Sequence, residues 1–137
     1  MDKTAVVYWS GTGNTQAMAE AIQKAAGADL FTAAEFTKDM VGNYKAIAFG
    51  CPSMGAEELE DSEFAPMFED CKPALKGKKI ALFGSYGWGD GEWMRTWEAD
   101  CKTLGATLIS DSLVINETPD DAGLEECKKL GDALAEA

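Results

Sequence analysis

Histidine is absent from this 137-residue chain. The gap removes the side chain that most often serves as general base or metal ligand near neutral pH, and with it the usual routes to hydrolytic or metal-dependent chemistry. Cysteine is sparse and scattered: Cys51, Cys71, Cys101 and Cys127 stand twenty or more residues apart, and no C-x-x-C pair occurs. Zinc and iron–sulfur spacings are therefore missing, and the four thiols read as small buried hydrophobes. No apolar run approaches the ~20 residues that a membrane span needs. Met1-Asp2-Lys3 leads straight into an apolar run without the layout of a signal peptide, so a cytoplasmic location is expected. Basic residues are scarce as well: 12 Lys and Arg face 24 Asp and Glu, for a net charge of −12. Such a surface lacks the basic footprint that nucleic-acid phosphates require, and it favours partners that carry basic patches. Glu57, Glu58, Glu60, Asp61, Glu63, Glu69 and Asp70 follow one another with no Lys or Arg between them, and read as a docking face.

What is present is an alternation of strand and helix signals over a length suited to one domain, taken as residues 1–137. Ala5–Trp9 is a β-branched and aromatic run, read as a fully buried strand. Gln16–Ala26 carries Ala, Met and Ile at helical spacing and stops at Gly27. Asp29–Ala33 is a weaker strand, and a short helix within Glu35–Tyr44 is broken by Gly42-Asn43. Ala46–Gly50 has no polar face, as befits a parallel strand covered on both sides. Phe64–Ala74 reads as helix, Lys79–Gly84 as the fourth strand, and Glu92–Leu104 as an amphipathic helix with Trp93 and Trp97 one turn apart in the core. Thr107–Ile115 is the fifth strand, and Asp121–Ala135 is a closing helix capped by Asp120 or Asp121. This order predicts an α/β three-layer sandwich: a five-stranded parallel sheet with helices on both faces. Ligands in such folds sit beyond the carboxyl ends of the strands, which directs attention to the loops after strands one, three and four.

The first loop, Ser10-Gly11-Thr12-Gly13-Asn14-Thr15, sets two glycines, three hydroxyls and an Asn at a helix start. Unpaired N–H groups and the helix dipole there favour an anion, and the hydroxyls of Ser10, Thr12 and Thr15 offer further donors. An isolated G-x-G is most often only a turn, but hydroxyls at both ends of T-G-N-T after a first strand favour a phosphate. A P-loop is excluded because no lysine occurs between Lys3 and Lys24, and the dinucleotide fingerprint fails at Gln16. The cradle thus suits a terminal phosphate rather than a bridging pyrophosphate. The second loop, Cys51–Glu58, contains Ser53-Met54-Gly55-Ala56-Glu57, a tight turn whose thioether can lie on an aromatic ligand. The third, Ser85-Tyr86-Gly87-Trp88-Gly89-Asp90-Gly91, frames a tryptophan between glycines at a loop tip. A planar ring with a phosphate tail satisfies all three.

These segments resemble the flavodoxins, above all the short-chain, clostridial type. Tyr8–Thr15 looks like that family's FMN phosphate signature, and Gly50–Gly55 and Phe83–Gly91 look like its two isoalloxazine loops. No long insertion interrupts the last strand. The resemblance implies FMN as cofactor, the flavodoxin-like fold with strand order 2-1-3-4-5, and a monomeric, low-potential one-electron carrier cycling mainly between semiquinone and hydroquinone rather than an enzyme. It places Trp88 on one flavin face, Met54 on the other, and Glu57 at the flavin N3–H. It makes Gly55-Ala56 the peptide that turns over to meet the reduced N5–H. Ala56 departs from the Gly or Asp of relatives, and a Cβ at a turn requiring positive φ is disfavoured by ~1 kcal/mol. Pro52 departs in lacking a backbone donor. A small FMN-dependent quinone or disulfide reductase is the alternative, although no nicotinamide site, His or paired Cys supports it. A receiver domain of like topology is excluded, because Trp9-Ser10, Gly50-Cys51 and Ile115-Asn116 stand where its acidic cluster, phosphoacceptor and Lys belong.

Overall fold

Strands β1 (Thr4–Tyr8) and β3 (Ala46–Gly50) are buried at every position in the computed structural model, which describes residues 3–55, 57–87 and 89–137. A strand buried on both faces must lie between two layers, and α-helices supply both. The remaining elements are α1 (Asn14–Ala26), β2 (Asp29–Thr32), α2 (Phe64–Cys71), β4 (Lys79–Tyr86), α3 (Glu92–Leu104), β5 (Thr107–Leu108), β6 (Leu113–Asn116) and α4 (Asp121–Glu136). The strands are parallel in the order β2-β1-β3-β4-β5, and β6 also pairs with β4.

The period-two pleat sorts side chains between two unequal layers. Ala5, Val7, Ile47, Phe49, Ile80 and Leu82 face an aromatic layer that contains Phe36, Tyr44, Phe64, Phe68, Trp93 and Trp97. Val6, Tyr8, Ala46, Ala48, Ala81 and Phe83 face Met18, Ile22, Leu130 and Leu134 of α1 and α4. Trp93 and Trp97 are both 2% exposed, which confirms their place in the core. All four cysteines are unpaired and buried, and desolvation raises their thiols to about 11 or 12. They act as packing residues, as expected.

Three element boundaries depart from the sequence pattern. The fifth strand is not continuous over Thr107–Ile115 but divides into β5 and β6. Residues 109–112, Ile-Ser-Asp-Ser, stand opposite only Ala81 and Leu82 of β4, so the surplus loops out; Asp111 reaches water, while the Ser112 hydroxyl is buried without a protein partner among the described residues. The helix expected over Phe64–Ala74 ends at Cys71 and tightens into a 3₁₀ turn at Lys72–Ala74, where Pro73 supplies no N–H. The Glu35–Tyr44 segment forms a 3₁₀ helix at Lys38–Asn43. As expected, Asp120 caps α4: its carboxylate accepts from the Gly123 N–H at 2.8 Å.

The ladder continues past the strand ends toward the loops. Trp9 N–H donates to Gly50 O at 3.0 Å, Cys51 N–H to Phe83 O at 3.1 Å, and Ser53 N–H to Ser85 O at 3.0 Å. The carboxyl ends of β1, β3 and β4 are thereby locked side by side, and the three loops emerge from one rim.

Candidate functional site

At the head of α1 the N-cap is Gly13 in the left-handed region (φ 96°), with no side chain capping the helix directly. Ser10 does related work from upstream: its Oγ accepts from the N–H groups of Gly13 (3.1 Å) and Gln16 (3.2 Å). Among the described residues, the N–H groups of Thr12, Asn14 and Thr15 find no protein acceptor. Three outward donors at a helix N-terminus make a cradle for an anion. The Thr15 hydroxyl is buried and bonded to the Ser85 hydroxyl at 2.7 Å, which ties the first loop to the third. Asn14 Oδ1 accepts from the Thr118 hydroxyl at 3.1 Å.

The second loop is a closed lasso. Met54 and Glu58 exchange two backbone hydrogen bonds of 2.9 Å, an antiparallel bridge that pinches the turn. Gly55 (φ 49°) and Glu57 (φ 57°) both occupy the left-handed region; for Glu57 this is a strained conformation held by its surroundings. Its Oε1 accepts from the Glu92 N–H at 3.0 Å, at the start of α3. Its carboxylate packs so closely on Gly89 (φ 86°) that a Cβ there would fall 2.6 Å from Glu57 Cδ. Glu57 Oε2 has no protein donor among the described residues. In the third loop, Asp90 is held by Arg95, whose Nη2 meets Asp90 Oδ1 at 3.0 Å and whose Nη1 donates to Asp90 O at 2.9 Å. The sequence places no cation in these loops, but the fold brings Arg95 back onto one of them.

Between the loops lies a cleft of about 430 Å³, a volume within the range of small-ligand sites. It gathers Gly11, Thr12, Asn14, Ser53, Met54, Ser85, Tyr86 and Gly87 from the expected set. Ser10, Gly13, Thr15, Gly55, Glu57, Gly89 and Asp90 do not line it; the hydrogen bonds above show Ser10, Thr15, Glu57 and Asp90 bracing the loops instead. Ala56 and Trp88 lie outside the described residues. Trp9 and Pro52, which belong to the first two loop segments, also line the cleft, and Glu117 and Thr118 line it without having been singled out. Glu117 and Thr118 belong to a fourth loop after β6, anchored by Glu117 N–H to Tyr86 O at 2.7 Å. Only topology could have revealed them, since β6 neighbours β4 and must end at the same rim. A larger groove, about 530 Å³, lies between α1 and α4 over Ala17, Ala21 and Ala25. Its lining alternates small or apolar side chains (Ala17, Ala21, Ala25, Leu124) with the charged Glu20, Lys24, Glu125 and Lys128.

A family model described as flavodoxin matches residues 6–131. The chain belongs to the flavodoxin family. It is 54% identical to the flavodoxin of Megasphaera elsdenii, over 96% of this chain and 98% of the relative. With the flavodoxin of Clostridium beijerinckii the identity is 42%, over 95% and 97% of the two chains. The solution structure of two-electron-reduced M. elsdenii flavodoxin superposes with a TM-score of 0.86 at 52% identity, covering 98% of this chain and 99% of the other. These end-to-end matches place it with the short-chain flavodoxins. As a flavodoxin it has FMN as cofactor and carries electrons; it is an electron-transfer protein and not an enzyme, and the reductase alternative is not favoured. The chemistry of the lining fits that cofactor: the first loop brings N–H groups without protein acceptors among the described residues, and the other loops bring Met54, Tyr86 and Gly87. No helix among the described residues is long and apolar enough to cross a membrane.

Proposed function

We propose that this chain is a low-potential, one-electron carrier that holds FMN in the cleft bounded by the loops after β1, β3, β4 and β6. The observation that carries this reading is the convergence on one rim of an anion cradle (Ser10–Thr15) and two ring-sized loops (Ser53–Glu57 and Ser85–Asp90). FMN supplies the redox chemistry, and the chain sets its position and surroundings. The N–H groups of Thr12, Asn14 and Thr15 take the phosphate, and the Thr12 hydroxyl adds a donor. Met54, which is 36% exposed, offers its thioether to one ring face, and Trp88 takes the other by family resemblance. Glu57 is pinned through Oε1 and presents Oε2 to the ring N3–H. Glu57, Glu58, Asp61 and Asp90 surround the slot with negative charge, so added charge on the ring is disfavoured and the potential is driven low.

Docking through the acidic rim onto basic patches of redox partners, action as a monomer in the cytoplasm, and a single domain over residues 1–137 complete the proposal. The docking face is narrower than the run of acidic residues implies. Glu60 is buried and Glu63 accepts from the Trp9 indole N–H at 3.0 Å, which leaves Glu58 and Asp61 as the exposed carboxylates of the run beside the turn, while Glu117 is the exposed carboxylate that lines the cleft itself.

Comparing the apoprotein's affinity for FMN with that for riboflavin, followed by flavin fluorescence, tests the site. The cradle predicts binding of FMN tighter by about a hundredfold or more, the worth of two or more charge-assisted hydrogen bonds. Equal affinities would remove the phosphate from Ser10–Thr15.

A further inference from the structure

Glu60 stands apart from the other carboxylates. It is 4% exposed, although it sits in a run of acidic residues that sequence alone assigns to the surface. One carboxylate oxygen, Oε1, accepts from the N–H groups of Glu63 and Phe64, both at 2.8 Å. The other, Oε2, accepts from the Ser62 N–H at 2.8 Å and from the Ser62 hydroxyl. Its main chain is committed as well: the Glu60 N–H donates to Cys51 Sγ at 3.3 Å, and its C=O accepts from the Ala65 N–H at 2.8 Å. Cys51 itself is fixed from the other side, because its C=O accepts from the Trp93 indole N–H at 3.1 Å.

Cys51 begins the loop that carries Ser53–Glu58, and Glu60 ends it. The two residues form the neck of the lasso pinched by the Met54–Glu58 bridge. The outgoing leg is anchored to the sheet and α3, and the returning leg to the first turn of α2. A carboxylate that collects three backbone donors at a helix N-terminus is a rigid mooring, since each bond is charge-assisted and shielded from water.

We propose that Glu60 is a positioning residue for the cofactor: by tying the returning leg to α2 and to Cys51, it sets where Met54 and Glu57 stand against the ring. Glu60 touches no part of the cleft and acts only through the loop. The inference rests on the placement of Ser53–Glu57 against the ring proposed above.

Glu60→Gln tests it in the full chain. The amide retains the size and one acceptor, but its NH2 faces the Ser62 N–H and Oγ–H and breaks that half of the mooring. FMN binding is expected to weaken about tenfold, as for a lost charge-assisted hydrogen bond, with a shift in the midpoint potential and the visible spectrum of the bound flavin. Asp70→Asn removes the same charge from an exposed residue farther along the run and is expected to change the affinity less than about twofold. A lower unfolding temperature with unchanged affinity, potential and spectrum would reduce Glu60 to a helix anchor and overturn the proposal. Equal effects of the two variants would overturn it in favour of charge alone. Ser62→Ala covers the case in which Glu60→Gln fails to fold. It deletes one bond of the mooring and is expected to weaken FMN binding two- to threefold; no change would again overturn the proposal. Met54→Ala separates the two readings. An unresponsive Met54→Ala would overturn the loop's placement and this proposal with it, while a responsive Met54→Ala beside an unresponsive Glu60→Gln would overturn this proposal alone.

Discussion

Two hydroxyls, Thr15 and Ser85, show how single residues couple distant parts of the rim. They lie seventy positions apart in sequence, are 1% and 4% exposed, and bond to each other at 2.7 Å. One donates to the other, so removal of either leaves a buried group unpaired. Thr15→Val and Ser85→Ala are each expected to cost about 1–2 kcal/mol in urea unfolding of the apoprotein. The double variant removes both groups, and its cost is expected to fall below the sum of the two. Simple additivity would mean that the hydroxyls have other partners. Glu57 is a second residue-scale device: a non-glycine in the left-handed region, held there by the Glu92 N–H and by contact with Gly89. The strain sits in the loop that faces the slot, where backbone conformation bears on the site.

Among the elements, the helix pair α1 and α4 governs how closely one layer approaches the sheet. Ala46, Ala48 and Ala81 keep that sheet face low, and Gly131 lets α4 press directly on α1. A Cβ at position 131 would lie 2.6 Å from both Ile22 O and Ala25 Cβ, and backbone cannot yield as a side-chain tip can. Gly131→Ala gains ~1 kcal/mol of helix propensity, yet the overpacking outweighs it. A net loss of about 1–3 kcal/mol is expected in thermal or urea unfolding. A stabilised variant would show that the helices separate easily. Because the head of α1 is the proposed anion cradle, the same variant reports on how firmly that helix is seated.

Across the whole molecule, charge is sorted along the strands. Lys45, Lys76, Lys78 and Lys79 gather at the end where the strands begin, with no carboxylate within ion-pair distance among the described residues. Two of them serve the fold: Lys45 Nζ donates to Ala135 O at 2.6 Å and Lys78 Nζ to Tyr44 O at 2.7 Å. The opposite rim holds the acidic loops, where Arg95 pairs with Asp90 at 3.0 Å. If through-space repulsion sets the low potential, added salt screens it. The midpoint potential of the more negative couple of bound FMN is therefore expected to rise between about 10 mM and 500 mM salt, as the Debye length shrinks from ~30 Å to a few ångströms. A potential independent of salt would assign the tuning to short-range hydrogen bonds in the Gly55–Glu57 turn. Acid works on the same carboxylates. Burial raises the Glu60 carboxyl, but the Ser62 hydroxyl and the three N–H donors outweigh it and hold the folded group below the ordinary carboxylate range. That contribution to stability is complete above the ordinary carboxylate range and fades as pH falls through the folded value.

The alternation of apolar runs and helical spacing, read directly from the residues, determined the parallel α/β architecture, the three loops and the proposed phosphate cradle, because these depend on local backbone chemistry and pattern. The break in the fifth strand at residues 109–112 was legible only as a polar Ser-Asp-Ser inside a strand-like segment; its cause is the register against β4. Glu117 and Thr118 carry no motif and reach the cleft because β6 pairs with β4. Glu60 is the clearest case. In sequence it is one of seven acids in a row without a cation, while in the fold it is buried under three N–H groups. Composition reports how many charges there are; only tertiary packing decides which of them meet water and which meet the ends of helices.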